Sequence, residues 1–276
     1  LDGTLFPYTT LFRSERPAAR AAVLGDAARA GSAGRRRRRG AARRGWRRGM
    51  NVLFASCIRH WGGGEKWMLS AALGLRERGH AAHFAGRAGS ELLARARAAG
   101  LPAHGVAFHG DFDPAASWFF YRLCRRLRPD LLCTNMDKVL RVAGPAARLA
   151  GVPAVVPRRG SEMPIGRKLS HRWAWRSVAT GVIANSEATR RTMLESAPWL
   201  PPERVRVIYN GLRLEDYDLP GWRASVREEL GTPADAPVVG MIGELTARKN
   251  HALLLRELPE LRRRFPGLEE IGRAHV

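Results

Sequence analysis

Cysteine is scarce in this 276-residue chain. Cys57, Cys124 and Cys133 are odd in number and show no CxxC spacing, so neither a disulfide framework nor a zinc site is built from them. They read as buried reduced thiols, which predicts a reducing, cytoplasmic compartment. No uninterrupted apolar run reaches about 18 residues, which argues against a membrane-spanning helix. Lysine is almost missing: Lys66, Lys138, Lys168 and Lys249 are the only four among 47 basic residues. Also absent are a Walker A loop, a GxGxxG fingerprint, a GxSxG elbow and any His, Cys, Asp and Glu grouping at metal-ligand spacing. No cofactor and no metal are therefore expected. No internal repeat of roughly 20 to 50 residues is visible, so a solenoid is not expected.

What is present in excess is arginine. The net charge is +22, and residues 1–49 hold 13 Arg against three acids. The Arg-for-Lys skew reads as coding bias with a solvated basic surface, and no specific nucleic-acid partner is expected. The alternative is a basic binding module whose Arg-rich arm contacts nucleic acid or an anionic membrane. The outermost segments, TLFPYTTLFRS (4–14) and IGRAHV (271–276), resemble in-frame translations of sequencing adapters. They are set aside from fold reasoning. The stretch GRRRRRGAARRGWRRG has no apolar period, so residues 1–49 are predicted to be a disordered leader, with residues 15–49 either a basic arm or upstream DNA read in frame. Met50 reads as the natural start.

From Asn51 onward short apolar runs alternate with segments of helical spacing. Strands are predicted at 51–57, 81–86, 102–108, 130–135, 153–158, 181–186 and 204–210. Helices are predicted at 65–78, 90–100, 115–128, 138–151, 168–179 and 187–196, the fourth broken near Gly144-Pro145. Short strand-helix connections imply an α/β fold, a parallel sheet with helices on both faces. This domain is placed at 50–212. The polar stretch 213–237 reads as a linker carrying a short helix. A second sheet domain starts at Val238 and is predicted over 238–270 as a truncated strand and helix. Its helix is predicted to break near Leu258, because Pro259 follows.

Four stretches carry residues suited to chemistry. In HWGGGEKW, Gly62, Gly63 and Gly64 follow the first strand and lead into a helix with Glu65 in its first turn. Such a turn lets backbone N–H groups meet an anion at the positive helix end. A plain strand-to-helix turn is the competing reading. In GELTARKNH, Gly243 ends a strand, and Arg248 and Lys249 stand at the next helix start. A fork and a point charge beside helix N–H groups suit a diphosphate. A solvated basic loop is the alternative. PRRGSEMP places Arg158, Arg159 and Glu162 after the fifth strand, at one cleft mouth, as acceptor or phosphate contacts or as an ion-paired surface loop. VIYNGLRLEDYD turns at Asn210-Gly211, chiefly a hinge. His60 and His109 sit at strand ends and are expected at the cleft, whereas His80 and His83 are expected in helix–strand packing. Trp118, Phe119, Phe120 and Tyr121 beside Arg122, Arg125 and Arg126 form either a core face or an amphipathic surface helix for peripheral membrane contact.

Taken together, the GG-x-E loop (Gly63, Gly64, Glu65), VIANSEATRRTMLE, VIYNGLRLEDY and GELTARKNHALLL resemble glycosyltransferase family 4. The last matches that family's G-x-L-x-x-x-K-x-x-x-x-L-L stretch, and the resemblance spans about residues 50 to 268. It implies the GT-B fold, two facing Rossmann-like domains, with the acceptor bound by the first and the nucleotide-diphosphate sugar by the second. It also implies sugar transfer to a hydroxyl with retained anomeric configuration and no tightly bound metal. Arg248 and Lys249 match the pair holding the donor diphosphate. Gly63 and Gly64 match the loop that closes over donor phosphate and sugar. His109 and Asn210 are further candidate acceptor or phosphate contacts. The acceptor class implied is a glycan or a lipid-linked molecule of the cell envelope. Two departures stand out. Arg158 and Arg159 occupy the region where many members carry a histidine, so no catalytic histidine is assigned. The family's paired downstream glutamates have no counterpart, so this chain is expected to be a fragment with little activity of its own.

Overall fold

The computed structural model describes residues 49–110, 112–211, 221–243 and 245–274. The leader predicted over residues 1–49 lies outside them, apart from Gly49. The chain divides into two compact units, Leu1–Ile208 and Tyr209–Val276.

In the first unit seven strands and six helices alternate as expected. They are β1 (Asn51–Ser56), α1 (Gly63–Glu77), β2 (Ala81–Arg87), α2 (Glu91–Ala98), β3 (Ala103–Val106), α3 (Pro114–Leu127), β4 (Leu131–Thr134), α4 (Asp137–Leu149), β5 (Ala154–Arg159), α5 (Leu169–Trp173), β6 (Val182–Ala184), α6 (Glu187–Ser196) and β7 (Val205–Val207). All strand pairs are parallel, in the order β3-β2-β1-β4-β5-β6-β7. The order reverses between β1 and β4. In such sheets a crevice opens at that reversal, outside the carboxyl ends of the strands.

Alternation along β1 builds the core on both faces of the sheet. Val52 and Phe54 pack with Phe84, Met68, Leu92 and Leu93 under α1 and α2. Leu53 and Ala55 join Phe120, Leu140, Trp175 and Met193 on the opposite face. Burying a side chain such as Phe84 or Leu140 contributes about 1.5–3 kcal/mol each. Helices return to strands through left-handed glycines: Gly79 (φ 81°) follows α1 and Gly151 (φ 89°) follows α4. The bonds His80 N–H to Leu75 C=O and Val152 N–H to Ala147 C=O close these caps.

The break predicted near Gly144-Pro145 does not occur, since α4 runs through Pro145. Proline removes one ladder bond, but α4 buries Leu140, Ala143, Ala146 and Ala147. Gly144 explains the close approach: a Cβ there would stand 2.7 Å from Val178 Cγ1. The predicted helix at 168–179 is α5 continued by a π-turn over Ala174–Val178, which buries Trp175 and Val178.

The second unit holds α7 (Trp222–Glu229), β8 (Val238–Gly243), a 3-10 turn (Ala247–Lys249), α8 (His251–Arg264) and β9 (Glu269–Ala274). α7 is the short helix expected in the linker. α8 continues through Pro259, against the predicted break, and buries Leu258. The strand β9 was not expected. It pairs parallel with β8, Val238 opposite Glu269 through Gly243 opposite Ala274. The backbone ladder carries this pairing, so EEIGRA needs no alternating pattern to form it. Leu258 is the one buried apolar side chain among this unit's described residues, whereas Leu245, Leu253, Leu255 and Phe265 are exposed.

Candidate functional site

The loops leaving β1, β4 and β5 meet at the reversal of strand order. Gly62 caps α1 with extended backbone and no side-chain bond, and Gly63 and Gly64 form its first turn. Gly63 is exposed, and space for a Cβ is open there. At Gly64 a Cβ would crowd the Asn135 side-chain amide, with Oδ1 at 3.0 Å and Cγ at 3.1 Å. Glu65 is not a solvated first-turn acid, being only 3% exposed. Its Oε1 accepts from Ser56 Oγ at 2.9 Å and from Asn135 Nδ2 at 3.0 Å.

Arg158 completes this group. It is 4% exposed, donates from Nη1 to Asn135 Oδ1 at 3.4 Å, and lies over the Trp67 ring at 4.7 Å. Burial pulls its pKa below the ordinary arginine value, and the neighbouring Cys133 and Glu65 oppose that shift. A cation, an anion and a neutral amide are thus packed under the glycine turn.

Arg159 points elsewhere, as alternation along a strand requires. Its Nη1 donates to Asp137 Oδ1 at 2.8 Å, and Nη2 donates to the carbonyls of Met163 and Pro164. His171 stands beside the same carboxylate, Nδ1 3.7 Å from Asp137 Oδ2, and its Nε2 meets Arg141 at 2.8 Å. Glu162 is exposed. The structure therefore divides the three residues expected at one cleft mouth among a buried network, a loop clamp and the surface.

The remaining candidates are spread out. His109 is exposed, its ring 3.5 Å from Asp113. Asp113 caps α3, accepting from the Ala116 and His109 N–H groups, and these donors hold its carboxyl below the usual value. Asn210 is exposed beyond β7, and His60 is exposed between β1 and α1. His83 stacks on His104, ring centroids 6.3 Å apart. Phe120 is buried, Phe119 packs partly against the core, and Trp118 is 61% exposed, so the aromatic run of α3 serves both core and surface.

Within the second unit Gly243 closes β8, and Lys249 is exposed at the end of the 3-10 turn, its N–H on the Thr246 carbonyl. The Arg248 side chain lies outside the described residues. Thr246 Oγ1 and both ring nitrogens of His251 are buried with no hydrogen-bond partner among the described residues.

Sequence reasoning missed Ser56, Trp67, Asn135 and Asp137. The segment CTNMD offered a signal. Polar residues just past a buried parallel strand lie at the carboxyl edge, where ligands bind.

A family model described as Glycosyltransferase Family 4 matches residues 61–216, more than half of the chain. The alpha-maltose-1-phosphate synthase of Mycolicibacterium smegmatis is 32% identical over 124 residues, 40% of this chain and 32% of that protein. The D-inositol 3-phosphate glycosyltransferase of Saccharomonospora viridis is 43% identical over 67 residues, 24% of this chain and 15% of that protein. The chain thus spans about a third or less of these relatives' lengths. Among solved structures, Anabaena HepE in complex with UDP and glucose aligns with a TM-score of 0.66 and 22% identity, covering 81% of this chain and 60% of that one. A glycosyltransferase from Rickettsia africae aligns with a TM-score of 0.62 and 15% identity, covering 82% and 68%. These likenesses show that the parallel sheet with its flanking helices is the Rossmann-like fold found in GT-B glycosyltransferases. With the family match across the glycine loop and the sheet behind it, the chain belongs to Glycosyltransferase Family 4.

Proposed function

We propose that the protein transfers a sugar from a nucleoside-diphosphate sugar to a hydroxyl acceptor, with retention at the anomeric carbon. The observation that carries this reading is the glycine turn at Gly62–Gly64. It opens α1 at the sheet's switch point, inside the stretch matched by the family model. Solved relatives of the fold support the donor class: Anabaena HepE has been seen with UDP and with UDP-glucose.

In this account the first unit, with its buried Arg158 network, serves the acceptor side. Gly243, Arg248 and Lys249 meet the donor diphosphate in the second. Charge grows on that diphosphate as the glycosidic bond breaks. The positive charges of Arg248 and Lys249, with backbone N–H groups nearby, stabilise it, and one such donor is typically worth about 3–4 kcal/mol in the transition state. No metal is required by this scheme, because Arg and Lys supply the positive charge.

The acceptor is a glycan or a lipid-linked molecule of the cell envelope, handled at the cytoplasmic membrane face. Exposed Trp118 on the same helix as exposed Arg122, Arg125 and Arg126 suits peripheral contact with anionic lipid. No helix among the described residues is long and apolar enough to cross a membrane. The alternative of a nucleic-acid module rests on residues 1–49, almost all outside the described residues, and no observation favours it.

Release of nucleoside diphosphate from a panel of UDP-, GDP- and ADP-sugars, with and without sugar acceptors, tests the reading. Acceptor-dependent release with one donor is expected. No release from any donor by a protein extended to the length of its relatives would refute it.

A further inference from the structure

The fold itself supplies one cause for glycine at position 64. Gly64 sits inside the first turn of α1 with no left-handed backbone, and a Cβ there would collide with the side-chain amide of Asn135. Asn135 is itself fixed. It is the first residue past β4, and its N–H donates to the Ala55 carbonyl of β1 at 3.2 Å. Its amide then bridges opposite charges, donating from Nδ2 to Glu65 Oε1 at 3.0 Å and accepting at Oδ1 from Arg158 Nη1 at 3.4 Å.

We propose that Asn135 is a positioning residue that sets the pose of the glycine loop. It gathers the loop's glutamate, the end of β4 and the buried arginine of β5 into one unit. A neutral planar amide suits this place. A carboxylate there would face Glu65 with like charge, and an aliphatic group would leave both charged neighbours short of a partner. Gly64 lets the amide approach, so residues 64 and 135 form a matched pair. The loop N–H groups at Gly63 and Gly64 are thereby aimed before any ligand arrives, which lowers the ordering cost of binding.

This role rests on the transferase reading only for its chemical consequence, and the test separates the two. Hydrogen exchange over residues 61–66 and melting temperature are compared for this chain, Asn135→Ala, Gly64→Ala and Gly64→Ala/Asn135→Ala. Asn135→Ala is expected to speed loop exchange by roughly tenfold to a hundredfold, the range for losing a hydrogen bond to a buried charge. Exchange in β2 and β5 should change far less. Gly64→Ala should lower the melting temperature strongly, and the double variant should recover part of that loss, because removing the amide removes the collision. Additive melting shifts, or unchanged loop exchange in Asn135→Ala, would overturn the proposal. Should Asn135→Ala not fold, Asn135→Ser alone and with Gly64→Ala carries the same comparison. A responsive loop here, with no nucleotide-sugar turnover by the protein extended to the length of its relatives, would sink the transferase reading alone.

Discussion

Arg158 and Arg159 are chemically identical neighbours, yet β5 sends them to opposite sides. Arg158 is sealed beneath Trp67 and beside Asn135, and Arg159 clamps the carbonyls of Met163 and Pro164 to Asp137. The period of two along a strand foretells that they part, but not which one is buried. Glu65 was legible as a loop residue. Its burial was not, because the Ser56 and Asn135 partners come from residues 9 and 70 positions away. His83 and His104 are stacked, and their pKa values are held below the ordinary imidazole value. Burial is the main cause, and nearby Arg126, and for His104 also Arg97, add to it. A depressed folded value means that the unfolded chain binds protons first as pH falls through about 6.5. Stability is then greatest above that pH and declines through the interval down to the folded values. Denaturant titrations between pH 7.5 and 5 should show this slope, and His83→Gln/His104→Gln should flatten it. An unchanged slope in the double variant would remove these rings from the account.

At the level of elements, strand-helix alternation was readable because apolar runs and helical spacing differ plainly in period. Breaks were harder to place. Both Pro145 and Pro259 were expected to interrupt helices, and both α4 and α8 pass through them. A proline costs a helix interior about 3 kcal/mol, and the buried face of α4 offsets that with packing that local sequence does not display. Gly144 is the mark of that packing. Gly144→Ala should gain helix propensity yet destabilise the first unit by about 1–3 kcal/mol, since its Cβ meets Val178, Leu140 and Val155. Chemical denaturation measures it, and a net stabilisation would show that the helix-to-sheet gap can yield. β9 was invisible for a different reason. EEIGRA has no strand-like alternation, and its place follows from pairing with β8.

For the molecule as a whole, the seven-stranded parallel sheet and its glycine turn were legible from Asn51 onward, and the family match agrees with that reading. The charge network beneath the turn was not, because it depends on three strand ends meeting at the reversal of strand order. The second unit carries the residues on which the donor assignment depends: Gly243 at the end of β8, then Arg248 and Lys249 in the 3-10 turn that precedes α8. The most direct measurement is a calorimetric titration of nucleoside-diphosphate sugars into the protein extended to the length of its relatives, against its Lys249→Ala variant. Saturable binding of one donor class is expected, weakened roughly tenfold or more by removing a charge-assisted contact to phosphate. Equal affinity in the two proteins would contradict the donor assignment.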